Sequence, residues 1–269
     1  MIPPDPKDGP GAAPPAGNAA AERAEPPPAD LVRAAPEPWP FRTDHAIRVA
    51  PPGPQAWMAA PDQFEHFREL RTRLLHAATA EGREHFMTIV VPMTERCGGS
   101  FVARNLAAAF TLQHRPSLLI ECNFRSDPEH DGFGPGTDAA GLYDFLSDYD
   151  DPEGVVPIWP TVLRGLNVIP AGRRDATPPL ARREHLTSAP MRELMAKVRG
   201  WPCHTFLDAP PAEGSPDARI LSEFADFVVL VVGYGRATPR AIAQAAALFD
   251  RKKLVGAVFN ESVGAAARR

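Results

Sequence analysis

The sequence is poor in cysteine, in long apolar runs and in positive charge. Its three cysteines, Cys97, Cys122 and Cys203, are too few for a disulfide framework and lack zinc-site spacing, so we expect a reducing, cytoplasmic setting. No run of about 18 apolar residues exists, which predicts no membrane-spanning helix. The N-terminus lacks the apolar core of a signal peptide. A net charge of −4 argues against non-specific nucleic-acid binding.

Proline and alanine dominate the first 40 or so residues, where large apolar side chains are scarce. Such a segment cannot bury enough apolar surface to offset the entropy that it would lose on ordering. We therefore predict a disordered, partly polyproline II segment over residues 1–60. The remaining residues, 61–269, fit one medium-sized folded domain.

Short apolar strands alternate with helices from about Asp62 onward, where a first helix shows apolar spacings of three and four. The predicted strands lie at 85–91, 116–120, 166–169, 205–208, 227–232 and 255–259, and further helices at 100–113, 141–146, 189–199 and 238–250. This alternation predicts an α/β fold with a mostly parallel sheet and helices on both faces. In such folds the ligand site lies at the carboxyl ends of the strands.

The loop after the first predicted strand has most of a phosphate-binding motif but not its lysine. In a P-loop, backbone N–H groups and a helix N-terminus hold phosphates, Lys reaches the outer phosphate oxygens, and Ser or Thr binds magnesium. Here Gly98 and Ser100 stand at the Gly and Ser positions, and Gly99 stands where the lysine is needed. On the motif alone, a tight turn with Ser100 as helix N-cap is an equal alternative.

Landmarks on both sides of this loop follow the order found in one known family. They are Glu65-x-x-Arg68-x-x-Arg71, Asn105-Leu106-Ala107, Arg125 with His130, Gly141-Leu142, Ile169 to Gly172, Phe206 to Pro211 with Asp217, and Asn260. Over about residues 60–262 the chain resembles the bacterial tyrosine kinases of capsule and exopolysaccharide synthesis, which are relatives of the Min/Par ATPases. The resemblance implies a P-loop NTPase-like fold.

The departures from the family pattern fall mostly on the chemistry. Gly99 replaces the lysine, Arg96 replaces the first loop glycine, and Glu121-Cys122-Asn123 replaces the second acidic motif. No tyrosine cluster follows the last predicted strand. Because phosphoryl transfer depends on positioning and charge neutralisation, we expect weak or lost binding of ATP or ADP with magnesium, and a pseudokinase.

The same resemblance implies candidate site residues. Nucleotide-binding candidates are Arg96, Gly98, Gly99, Ser100 and Asn260, magnesium candidates are Ser100, Glu121, Asn123 and Asp208, and oligomer-interface candidates are Glu65, Arg68 and Arg71. Asp208 is also the catalytic candidate. The alternatives are a helix-capping or turn-forming Asp208 before two prolines, a solvated charged helix face, and a rescue of phosphate binding by Arg96 or Arg125.

Cys97 and Cys122 fall in two loops that would face the same site. They are either a redox or metal pair or, in the interpretation that we favour, small residues filling space. Among the three tyrosines, Tyr143 is expected to pack and Tyr149 to be exposed.

Three functions follow from the resemblance. The favoured one is a cytoplasmic regulator or scaffold of exopolysaccharide synthesis and export. Its expected partner is a membrane polysaccharide co-polymerase (a chain-length determinant) or a related kinase, with possible homo-oligomers and membrane contact only through the partner. The alternatives are an active autokinase with an altered nucleotide site and a Min/Par-like ATPase switch.

Overall fold

The computed structural model describes residues 58–59, 61–124, 139–147, 156–173, 179–214 and 216–260. The strands are β1 (Met87–Pro92), β2 (Ser117–Glu121), β3 (Trp159–Pro160), β4 (Leu166–Ile169), β5 (His204–Asp208), β6 (Phe227–Gly233) and β7 (Leu254–Asn260). The helices are α1 (Pro61–Ala80), α2 (Gly99–Thr111), α3 (Leu142–Ser147), α4 (Pro179–Glu184), α5 (Ala189–Arg199), α6 (Asp217–Ser222) and α7 (Pro239–Ala246), with a 3-10 turn at His185–Thr187.

The seven strands form one sheet in the order β3-β4-β2-β5-β1-β6-β7. All neighbouring pairs are parallel except the short β3, which runs antiparallel to β4 at one edge. The four inner strands β2, β5, β1 and β6 are buried along their whole length. Burial of that kind requires cover on both faces, which confirms the predicted α/β architecture with a mostly parallel sheet.

The core is built around α2, whose apolar side chains face β1, β2 and β5. Phe110 of α2 lies 5.7 Å from the Phe86 ring and 5.1 Å from the Phe206 ring, in tilted or edge-on contacts. Helix α1 packs outside α2, where Phe67 meets Phe101 at 6.0 Å. This packing fixes the N-terminus of α2 against the carboxyl ends of the central strands.

Most predicted elements appear within one or two residues of their predicted bounds. The helix predicted at 238–250 ends early, at Ala246, because the chain tightens into turns that bury Phe249. The sequence pattern missed β3, α4 and α6, which are all six residues or shorter. The predictions for residues 1–57, Arg125, His130 and Tyr149 lie outside the described residues. Within the described ranges, no helix combines the length and apolar character that a bilayer span requires.

Candidate functional site

The loop between β1 and α2 delivers a helix N-terminus to the carboxyl edge of the sheet. Gly98 is the N-cap residue, with a left-handed φ of 85°, and the helix begins at Gly99. The Gly98 carbonyl accepts the first helical hydrogen bond, from Val102 N at 3.0 Å. Ser100 therefore lies inside the first turn and is not the N-cap. The strand–loop–helix arrangement predicted for a phosphate loop is present.

Asn260, at the end of β7, lies directly against this loop. Its Nδ2 donates to the carbonyl of Cys97 at 3.1 Å. A Cβ on Gly98 would come within 2.0 Å of the same Nδ2, so only glycine fits between the loop and this amide. The structure thus brings together two of the predicted nucleotide residues, with the Asn260 amide bound to the loop itself.

The Pro92 ring fills the space that a side chain at position 99 would occupy. A Cβ built on Gly99 would lie 2.8 to 3.0 Å from three ring atoms of Pro92, the last residue of β1. Carbon atoms in real structures keep roughly 3.5 Å or more between them. Gly99 is therefore required by packing, and a lysine here would first have to displace a rigid, buried proline ring.

Glu121 and Asp208 are neighbours at the carboxyl ends of β2 and β5, where they are register partners in the sheet. Both are buried. Asp208 accepts a hydrogen bond from Ser100, while its Oδ1 has no hydrogen-bond partner. Burial raises the pKa of Asp208 to about 7, against the opposing effect of the Ser100 hydrogen bond. The structure thus brings together Ser100 and Asp208, two of the residues that the resemblance implied for magnesium.

Arg104 is a site residue that the sequence reasoning missed. It lies one helical turn after Ser100, and its Nη2 donates to Glu121 Oε1 at 3.0 Å. The other carboxylate oxygen of Glu121 accepts from the backbone N–H of Ala171 at 3.3 Å. The signal that could have revealed Arg104 is its position four residues after Ser100, which places both on one helix face.

The oxygen-rich residues here are of the type that magnesium prefers. Ser100 and Asp208 are suitable ligands, and Asn123 lies half-buried two residues beyond Glu121. Glu121 is not suitable, because its charge is already balanced by the Arg104 guanidinium at 3.0 Å, which would also repel a second cation. As arranged, the cluster does not fit a divalent ion.

Arg96 takes up a left-handed conformation, with φ of 57°, in the exposed part of the loop. Its carbonyl accepts a hydrogen bond from Arg236 Nη1 at 3.2 Å. Arg236 follows β6 and crosses over Gly233, where an added Cβ would meet the arginine Cδ at 2.8 Å. Arg236 and Asn260 thus hold the loop from the ends of β6 and β7.

The three predicted interface residues on α1 have different environments. Glu65 and Arg68 are exposed and pair with each other at 2.6 Å. Arg71 is buried, and its Nη1 donates to the carbonyl of Ala109 in α2 at 2.5 Å. Arg71 therefore joins two helices of the same chain, and the exposed part of the predicted surface consists of Glu65 and Arg68.

The cysteines Cys97 and Cys122 are both free and buried. Their thiols contact backbone carbonyls, of Val231 at 3.4 Å and of Ile120 at 3.8 Å. Burial, with the charges of Asp208 and Glu121, raises the pKa of the Cys122 thiol far above its usual value. A protonated, buried thiol is a poor nucleophile, which supports the space-filling interpretation. In the described part of the chain no cluster of His, Cys, Asp or Glu has metal-site geometry.

Comparison with known proteins finds bacterial tyrosine-protein kinases. The chain is 27% identical over 199 residues to the tyrosine-protein kinase wzc of Salmonella typhimurium, covering 73% of this chain and 26% of that protein. It is 29% identical over 201 residues to the tyrosine-protein kinase YwqD of Bacillus subtilis, covering 73% and 80%. The chain thus spans about a quarter of some curated relatives and most of another. No family model matches the chain.

Solved kinase domains share the fold. The tyrosine kinase domain of BceF aligns with a TM-score of 0.60 at 26% identity, covering 73% of this chain and 76% of that one. The kinase domain of the Escherichia coli tyrosine kinase ETK aligns with a TM-score of 0.63 at 24% identity, covering 75% and 76%. A ParA family ATPase from Chlorobium tepidum aligns at 0.50 and 13% identity, covering 68% and 76%, which is a likeness of fold alone.

Proposed function

We propose that this chain is a kinase-like domain that has lost efficient phosphoryl transfer and acts as a regulatory or scaffolding component of exopolysaccharide synthesis and export. The observation that carries the proposal is the filled lysine position, where Gly99 packs against the ring of Pro92. The relatives named tyrosine-protein kinases give the class of chemistry from which the chain has departed.

The loss of the lysine affects both binding and rate. A charge-assisted contact to a phosphate contributes about 1.5–3 kcal/mol to binding. A preorganised donor to a developing charge contributes roughly 10²–10³ in rate. Arg96 is exposed in a left-handed part of the loop, and we propose that its bulkier, less flexible side chain does not replace the lysine. ATP or ADP with magnesium is therefore proposed to bind weakly, with negligible transfer.

A scaffold acts through its surfaces, and we place this one in the cytoplasm at the inner membrane. Its proposed partner is a membrane polysaccharide co-polymerase (a chain-length determinant) or a related active kinase. The exposed Glu65–Arg68 pair on α1 is the proposed contact with that kinase or with further copies of the chain. Exposed ion pairs contribute little to folding stability, so this pair is available for an interface without cost to the fold.

The catalytic part of the proposal is tested by incubating the purified chain with ATP and magnesium and blotting for phosphotyrosine. The chain alone is expected to give no signal, and a related active kinase serves as the positive control. A signal that disappears in an Asp208→Asn variant would instead establish an active autokinase with an altered site. Nucleotide hydrolysis without phosphotyrosine would favour a Min/Par-like switch.

The surface part of the proposal is tested by charge reversal at Arg68. Arg68→Glu should reduce the assembly mass measured by light scattering, alone or mixed with the related kinase. The matched control is Arg73→Glu, because Arg73 is also exposed on the same helix and pairs with Glu69 at 2.5 Å. An unchanged mass for the Arg68 variant, or an equal loss in both variants, contradicts the proposed interface.

A further inference from the structure

The most unusual side chain in the candidate site is Arg104. Its guanidinium lies largely out of solvent, with the side chain 13% exposed, against a Glu121 side chain that is 6% exposed. A buried arginine requires a carboxylate partner because the unpaired charge is costly to desolvate. Here the partner is a residue that the family pattern assigns to magnesium. The site therefore already contains one positive charge where a metal-dependent enzyme would need to leave room for its metal.

Two side chains of α2, one turn apart, each contact a carboxylate at a strand end. Ser100 and Arg104 are separated by one helical turn and lie on the same face of the helix. Ser100 hydrogen-bonds to Asp208, and Arg104 bonds to Glu121 at 3.0 Å. The two carboxylates are themselves register partners on adjacent strands. The helix is thus joined to two neighbouring strand ends by two parallel contacts, one made by a hydroxyl and one by a cation.

We propose that Arg104 is a built-in replacement for a divalent cation, which joins α2 to the strand ends and excludes a metal from the acidic cluster. The inference deepens the proposed function, because it gives a second, independent reason for a site without metal-dependent transfer. The carboxylate Oδ1 of Asp208, buried and without a hydrogen-bond partner, is the remaining oxygen toward which a metal would bind once the guanidinium is removed.

The charge of Glu121 determines whether the cluster attracts a cation. With Arg104 present, Glu121 is balanced, and like-charge repulsion from the guanidinium disfavours a divalent ion nearby. Arg104→Met keeps much of the apolar stem and removes the charge, so Glu121 is left buried and unbalanced. A divalent ion then relieves the same deficit that the arginine relieved. Arg104→Met/Glu121→Gln removes both charges and with them the need for any cation.

The experiment measures Mn²⁺ binding by electron paramagnetic resonance and thermal stability with and without Mg²⁺, all without nucleotide. Arg104→Met should bind Mn²⁺ about 10- to 100-fold more tightly than the wild type. Its melting temperature should fall and then rise again with Mg²⁺, whereas that of the wild type should not respond. The double variant should melt above Arg104→Met and bind no Mn²⁺. Arg183→Met is the matched control, because Arg183 is similarly buried against Asp217, and it should gain no binding.

Three results would overturn the inference. The first is wild-type Mn²⁺ binding as tight as that of Arg104→Met. The second is a folded Arg104→Met variant that gains no Mn²⁺ binding. If Arg104→Met does not fold, the double variant decides, and its failure to fold would make Arg104 a packing residue only. The proposed function fails by a separate result, which is nucleotide binding and phosphotyrosine formation by the wild-type chain.

Discussion

Substitution of Gly99 tests whether the Pro92 ring sterically blocks a side chain at the lysine position. A glycine-to-alanine change within a helix normally stabilises by up to about 1 kcal/mol. Here the added Cβ would lie 2.8 to 3.0 Å from three atoms of the Pro92 ring, and that ring is buried and fixed in φ. Overpacking of this kind costs typically 1–3 kcal/mol. Gly99→Ala should therefore destabilise the domain and lower its melting temperature by roughly 2–12 °C.

The assay is urea and thermal unfolding followed by circular dichroism, with a matched control and a double-variant cycle. Gly256→Ala is the control, because a Cβ at Gly256 meets no atom within 4 Å, and it should be neutral or slightly stabilising. In a Pro92→Gly background the penalty for Gly99→Ala should largely disappear. If Gly99→Ala stabilises the natural chain as much as the control does, Pro92 does not block a side chain at position 99.

Substitutions at Gly99, His204 and Arg71 should change nucleotide affinity, the pH dependence of stability and the free energy of unfolding, respectively. Gly99→Lys alone should leave ADP affinity unchanged in titration calorimetry, whereas Pro92→Gly/Gly99→Lys should raise it. A higher ADP affinity in the single variant would contradict the steric block by Pro92. Burial, helped by nearby His85, lowers the pKa of His204 to about 4 from 6.5. The unfolded chain then binds more protons between these values, so stability should be full above pH 6.5 and fall by about 3 kcal/mol on acidification to pH 4. His204→Phe should flatten that dependence in unfolding measured across the pH range, and an unchanged slope would contradict it. Arg71→Met should cost about 1–3 kcal/mol in urea unfolding, because it leaves the buried carbonyl of Ala109 without its donor, and a cost below 0.5 kcal/mol would contradict that role.

The alternation of strands and helices was readable from the sequence because buried parallel strands are continuous apolar runs. The family resemblance placed Glu121 and Asp208 at one site, and the strand pattern agreed, since Glu121 follows one predicted strand, Asp208 ends another, and parallel strand ends share one edge. The short elements β3, α4 and α6 were missed because a hydrophobic period cannot be detected over only two to six residues.

The side-chain contacts of the site were less accessible to sequence reasoning. Nothing in the order of residues indicates that the Pro92 ring fills the space beside Gly99, because that contact depends on how β1 enters the loop. The family pattern grouped Arg71 with Glu65 and Arg68, yet six residues rotate a helix by about 240° beyond a full turn, which points Arg71 away from Glu65. Its place against Ala109 is set by the packing of α1 on α2.

Titration of the wild-type chain with ATP and with ADP in the presence of magnesium tests the central claim most directly. With protein at about 100 μM, the account predicts no measurable heat, corresponding to a Kd weaker than about 1 mM, or about −4 kcal/mol of binding free energy. Saturable binding with a Kd in the low micromolar range would contradict it, because an intact nucleotide site would then exist without the lysine and beside the Arg104–Glu121 ion pair.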